Sequence, residues 1–226
     1  MSVSFAFVAV LVGLVVWGLL IRRLTTRPWE TRGAPPEDPG HAGTVTVPPA
    51  KVGLWILLAV ITSLFSLFIS AYYMRMGHAH GDWSPVALPR VLWLNTAMLI
   101  LSSGGMQAAL AAVRREQIDR VRIGLIAGGL FALVFLVGQL WAWRQLNETG
   151  YFLSSPAAAF FYLLTAVHGV HLLGGLFVWS RTLVRAVPAG IAAIAVRSSV
   201  ELCTVYWHYL LLVWLVLFAV LLSTSA

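Results

Sequence analysis

Phe160 to Gly175 reads FFYLLTAVHGVHLLGG and lies inside an apolar run from Pro156 to Ser180. A run of that length crosses a bilayer as a helix, because hydrocarbon offers no partner to unpaired backbone groups. Yet His168 and His171 sit well away from either end. Ionisable side chains inside a span are costly and usually face the bundle interior. Their i, i+3 spacing puts both on one face, with Gly169 between them and Gly174 and Gly175 one turn on. Small residues let a neighbouring helix come close. The stretch therefore predicts a helix packed against protein, not only against lipid.

The rest of the composition agrees. Of 226 residues, 60% are hydrophobic and only 10% charged, outside the range of soluble domains. The net charge of +7 does not point to nucleic acid, because its basic residues fall between apolar runs, where they set membrane orientation. The single cysteine, Cys203, excludes an internal disulfide and a cysteine-rich metal site, and reads as a small core residue. Met1 to Leu20 lacks a basic start, and its positives follow the apolar stretch; it reads as a retained anchor and not a cleaved leader.

Six apolar runs stand out: Val3–Ile21, Val52–Met74, Val86–Val113, Val121–Trp143, Pro156–Ser180 and Ser199–Leu222. They predict an all-α, polytopic membrane bundle of six transmembrane helices. Residues 1–21 form an N-terminal span, 22–51 a Pro/Gly-rich cytoplasmic linker, and 52–226 a five-helix bundle. Counted at and beside the connections, Lys and Arg number five, four and three after runs one, three and five, and two and one after runs two and four, with Arg122 and Arg90 standing at the starts of the runs that follow. The positive-inside rule then places both termini on the periplasmic side. Gln139, Trp141 and Trp143 are expected near the outer interface, in an aromatic belt.

At about 1.5 Å rise per residue, His168 and His171 lie roughly 18 to 22 Å inward from Pro156. Glu201 and His208 enter from the opposite side and share a face, two turns apart, with Thr204 between them. The four ionisable groups are expected to converge between the fifth and sixth runs. Three readings are open. His, His, Glu and His are legitimate ligands for a metal or haem. A proton relay needs titratable groups through the whole membrane, and the outer half offers only Asn95, Gln139 and hydroxyls. The third reading is a structural network that pins two helices and binds a lipid headgroup.

The same residues carry a family likeness. FFYLLTAVHGVHLLGG resembles the helix of cytochrome c oxidase subunit III that bears an HGxH motif. VELCTVYWHYLLLVWLVLF is similar to that family's last helix, with its Glu, its Trp207–His208 pair and a later Trp214. KVGLWILLA and WLNTAMLILSSGGMQAA resemble two earlier helices, so the likeness runs from about Lys51 to the C-terminus.

The resemblance implies a core subunit of a haem-copper terminal oxidase in a bacterial inner membrane, part of an enzyme only as a member of the complex. It implies no catalytic, cofactor or metal residue in this chain, with haem and copper in partner subunits I and II, and phospholipid bound in a cleft. The polar or lipid-binding set is then His168, His171, Glu201, His208, Thr204 and Trp207. Two family features are missing. The intramembrane glutamate common eight residues after the Gly of GxW is Ile61 here, and Gln139 is followed by LWAW with no acid. Subunit III of a quinol oxidase, a homologue tied to nitric oxide reduction, and a stand-alone haem-binding membrane protein are the alternatives.

Overall fold

A computed structural model describes residues 49–78, 83–148, 155–188 and 193–225. They form five helices: α1 (Pro49–Gly77), α2 (Val91–Arg114), α3 (Ile118–Glu148), α4 (Pro156–Ala186) and α5 (Ala193–Thr224). All five are long and apolar enough to cross a membrane, and no strand occurs among the described residues. The expected span at Val3–Ile21 and the linker up to residue 48 lie outside the described residues, as do residues 79–82 of the HAHGDW loop.

Helix ends follow local chemistry. The third run was expected to be helical from Val86, but α2 starts at Val91. Pro85 and Pro89 hold the chain before it out of a helix, since proline lacks an N–H and restricts the residue ahead of it. Ser155 caps α4, its Oγ accepting from the Ala157 N–H at 3.2 Å, with Pro156 at the first helical position. The other ends overrun the apolar runs, α3 reaching Glu148 through good helix formers such as Arg144, Gln145 and Leu146.

α2 and α3 form a tight antiparallel hairpin. Its turn is a Schellman motif: the Glu116 N–H donates to Val113 O at 3.2 Å and the Gln117 N–H to Ala112 O at 3.0 Å. Glu116 stands at φ 58°, where glycine is the usual occupant. Along the hairpin the backbones touch. A Cβ on Gly105 would lie 2.7 Å from Gly128 N, and one on Gly124 2.7 Å from Ala109 N. α5 packs against α2 and α4, and α3 also meets α4.

α1 is held differently, through long side chains and not through close backbones. Thr62 Oγ1 and the Tyr209 hydroxyl are 2.9 Å apart, and Tyr209 also donates to Leu58 O at 3.2 Å. Tyr72 meets Thr224 through their hydroxyls. Phe65 lays its ring against His168 and His171 of α4. At the other end of the bundle, Arg122 of α3 donates to Ala186 O and Pro188 O, closing the carbonyl end of α4. The arginine-rich connections on either side of α3's start and α4's end therefore share one end of the bundle.

Candidate functional site

The polar interior is organised by α5. Four consecutive residues, Tyr206 to Tyr209, point four ways, as 100° per residue requires. The Tyr206 hydroxyl donates to His171 O on α4 at 2.9 Å. The Trp207 indole donates to Ser102 Oγ on α2 at 2.7 Å. His208 is exposed, and Tyr209 reaches α1. Two turns on, Trp214 donates to Thr96 Oγ1 of α2 at 3.0 Å.

Ser102 is the junction. It accepts from Trp207 and donates to Gly128 O at 2.6 Å, so one hydroxyl links α5, α2 and α3. Ser102 is fully buried, and a buried hydroxyl is stabilising only when its bonds are made. The same device recurs outside α5: Trp143 of α3 donates to Thr165 of α4 at 3.0 Å, and Trp179 of α4 donates to Leu125 O of α3 at 2.8 Å. Each indole spans the gap between two helices with its apolar body and ends on an acceptor.

The structure does not join His168, His171, Glu201 and His208 into one network. Glu201 bonds Arg197 on its own helix at 3.2 Å, an i, i+4 pair that reaches solvent or headgroups. His208 Nδ1 lies 2.9 Å from Thr204 O, and His171 Nδ1 lies 2.7 Å from Val167 O, each one turn back along its own helix. Each imidazole thus spends its Nδ1 on its own helix, and no bond between these four side chains joins the two helices. Similar depth along two axes does not fix which faces meet. Thr204 and Trp207 do join helices, but toward α2: Thr204 Oγ1 lies 3.3 Å from Met106 O, while its shorter contact, 2.8 Å, is to Val200 O one turn back on α5 itself.

His168 is completely buried, and neither ring nitrogen has a hydrogen-bond partner. Its neighbours are rings: Phe135 at 5.7 Å, Trp214 at 5.2 Å and Phe65 at 6.5 Å between centroids. It serves as a flat aromatic filler where α1, α3, α4 and α5 converge. No group of three His, Cys, Asp or Glu stands close enough to hold a metal among the described residues.

Ile61 is buried at 1% exposure, on the α1 face that also carries Leu58 and Phe65. Gln139 is buried and accepts from Asn95 Nδ2 at 3.3 Å, leaving its own Nε2 unpartnered. Trp141 is 61% exposed, as a lipid-facing belt residue would be. Cys203 is buried and reduced. Ser102 is not legible as a site, since neither serine of SSGG carries a spacing signal, and the tryptophans on apolar faces are the signal available.

Known proteins are similar to this sequence. A "Probable cytochrome c oxidase subunit 3" of Mycobacterium tuberculosis is 30% identical over 177 residues, 76% of this chain and 86% of that protein. A "Cytochrome c oxidase subunit 3" of Synechocystis sp. is 28% identical over 211 residues, 88% of each. A "Quinol oxidase subunit 3" of Bacillus subtilis is 26% identical over 194 residues, 82% of this chain and 90% of that one. The family model described as cytochrome c oxidase subunit III matches residues 40–225, a range that contains all five described helices. The chain belongs to the cytochrome c oxidase subunit III family.

Proposed function

We propose that this chain is the non-redox core subunit of a bacterial haem-copper terminal oxidase of the cytochrome c oxidase type. In this reading it stabilises subunit I, assembles with subunit II, and supports oxygen reduction coupled to proton pumping, while haem and copper reside in the partners. It lies in the cell inner membrane with six spans and both termini periplasmic, the orientation that the Lys and Arg count supports.

The observation that carries the reading is how the buried polar groups are used. Ser102 links α2 to α3 and α5, Trp207 and Trp214 donate to α2, and Thr204 reaches Met106 O, so buried polar groups bond one helix of this chain to another even where Thr96 and Thr204 also bond their own helix. Such a bundle is a rigid body suited to bracing a neighbour. Ile61, aliphatic and buried, can neither bind nor release a proton, so this chain supports pumping through assembly and not by handing protons through α1. His168, His171, Glu201, His208, Thr204 and Trp207 act in this reading as helix-packing and surface residues around bound phospholipid. Relatives bearing the name quinol oxidase favour a second reading, in which the complex draws electrons from quinol.

Affinity purification through a C-terminal tag in mild detergent tests the assignment. The expected product is a coloured complex with a haem difference spectrum and a larger haem-bearing polypeptide in the mass spectrum. Recovery of this chain alone, stable and colourless, refutes it. Turnover with reduced cytochrome c against turnover with quinol separates the two readings.

A further inference from the structure

His208 stands about midway along α5, by helical rise roughly 22 Å from Ala193 and 24 Å from Thr224. No Lys, Arg, Asp or Glu occurs from Leu202 to Ser225, and Glu201, about 10 Å back along the helix, bonds Arg197. At that depth His208 is nevertheless exposed, as are Leu215, at 42%, and Ala219 on the same side of the helix. The other sides of α5 are taken: Tyr206 meets α4, Trp207 and Trp214 meet α2, and Tyr209 meets α1. An ionisable group in a span is costly and ordinarily turned toward protein. Here it is turned outward.

The bonding of the ring defines what it lacks. A backbone carbonyl can only accept, so His208 Nδ1 donates to Thr204 O at 2.9 Å. In the neutral imidazole that hydrocarbon favours, Nε2 then carries the lone pair, and among the described residues it meets no donor. Acyl chains offer none, and lipid headgroups stay outside the hydrocarbon. A second copy of this chain, related by a two-fold axis along the membrane normal, would set one His208 acceptor against another. The group that fits is a hydroxyl, amide or indole donor carried to mid-bilayer on a helix of a different polypeptide.

We infer that the outward face of α5 at His208, Leu215 and Ala219 docks a transmembrane helix of the haem-bearing partner, whose O–H or N–H donates to His208 Nε2. Ala219, small and exposed, lets that helix approach one side of the contact closely. The inference rests on the proposed function for the identity of the partner, and it gives His208 a protein neighbour in place of lipid.

The C-terminally tagged complex is held on resin and washed in mild detergent, and the haem absorbance that remains reads retention of the partner. His208→Leu, an exposed change that removes the acceptor, is expected to release the partner about three- to tenfold faster. His208→Gln, whose amide oxygen can accept, should hold it near the wild-type rate, which a merely space-filling role would not produce. A photocrosslinking p-benzoylphenylalanine in place of Leu215 should join this chain to the haem-bearing polypeptide, at a peptide that contains a Ser, Thr, Tyr, Trp, Asn or Gln. Wild-type retention in His208→Leu overturns the proposal, as does equal loss in His208→Leu and His208→Gln. A Leu215 crosslink only to lipid, to a second copy or within this chain overturns it too. In each of these cases a wild-type complex that keeps its haem leaves the oxidase assignment standing. A wild-type preparation without a haem-bearing polypeptide refutes that assignment and the docking together.

Discussion

Gly104 and Gly105 are adjacent in sequence and opposite in surroundings, so they make a matched test of how α2 and α3 are joined. A Cβ on Gly105 would lie 2.7 Å from Gly128 N, 2.9 Å from Gly128 Cα and 3.1 Å from Gly124 O; one on Gly104 meets nothing within 4 Å. Carbon contacts sit at about 3.5–4.0 Å, so Gly105→Ala requires the two backbones to separate by about 1 Å. All three obstructing atoms are main chain and cannot rotate away. Overpacking of this kind costs about 1–3 kcal/mol. The separation also stretches the 2.6 Å bond from Ser102 to Gly128 O, worth about 0.5–1.5 kcal/mol. Alanine's better helix propensity returns about 0.5–1 kcal/mol. The net expectation is a loss of about 0.5–4 kcal/mol for Gly105→Ala and a neutral to slightly favourable change for Gly104→Ala. At about 2–4 °C per kcal/mol for a chain of this size, Gly105→Ala should lower the melting midpoint by about 1–16 °C. Fluorescence-detected gel filtration after graded heating reads this directly. If the two variants melt together, the hairpin is not held by backbone contact at Gly105 and the reasoning is wrong.

Other expectations follow from the same bonds. Ser102→Ala should cost about 1–2 kcal/mol by orphaning the Trp207 indole, and a double-mutant cycle with Trp207→Phe should return a coupling near 1 kcal/mol; zero coupling contradicts the junction. Glu201→Ala should cost no more than about 1 kcal/mol, because its carboxylate bonds a half-exposed Arg197 on the same helix; a loss above 3 kcal/mol in heated samples would revive a buried network. Glu116→Gly should raise the melting midpoint, relieving about 1 kcal/mol of left-handed backbone cost, while Glu116→Val should lower it.

Much of the architecture was legible without coordinates because hydrocarbon imposes it. A continuous apolar run of some twenty residues has one stable form in a bilayer, so the five helices from α1 to α5 were readable, although Pro85 and Pro89 delay the start of α2 to Val91. Of the glycines around His168 and His171, Gly175 is packed against Tyr206 and Trp207, whereas Gly174 meets nothing within 4 Å and Gly169 only Leu136 at 3.9 Å. Family membership was readable from motifs because HGxH and YWHxxxxxW are specific combinations.

The partners of polar residues were not legible, and the reason is rotational. Sequence gives depth along a helix axis through the 1.5 Å rise, but the angle at which one helix turns toward another is set by packing of all the side chains at once. His168 and Glu201 can share a level and still never meet. His171 and His208 resolve their own bonding one turn back, which spacing cannot distinguish from bonding across a gap. Ser102 shows the converse. It has no motif, yet tertiary structure makes it the meeting point of three helices, because the α2–α3 backbones touch there and a buried indole arrives needing an acceptor.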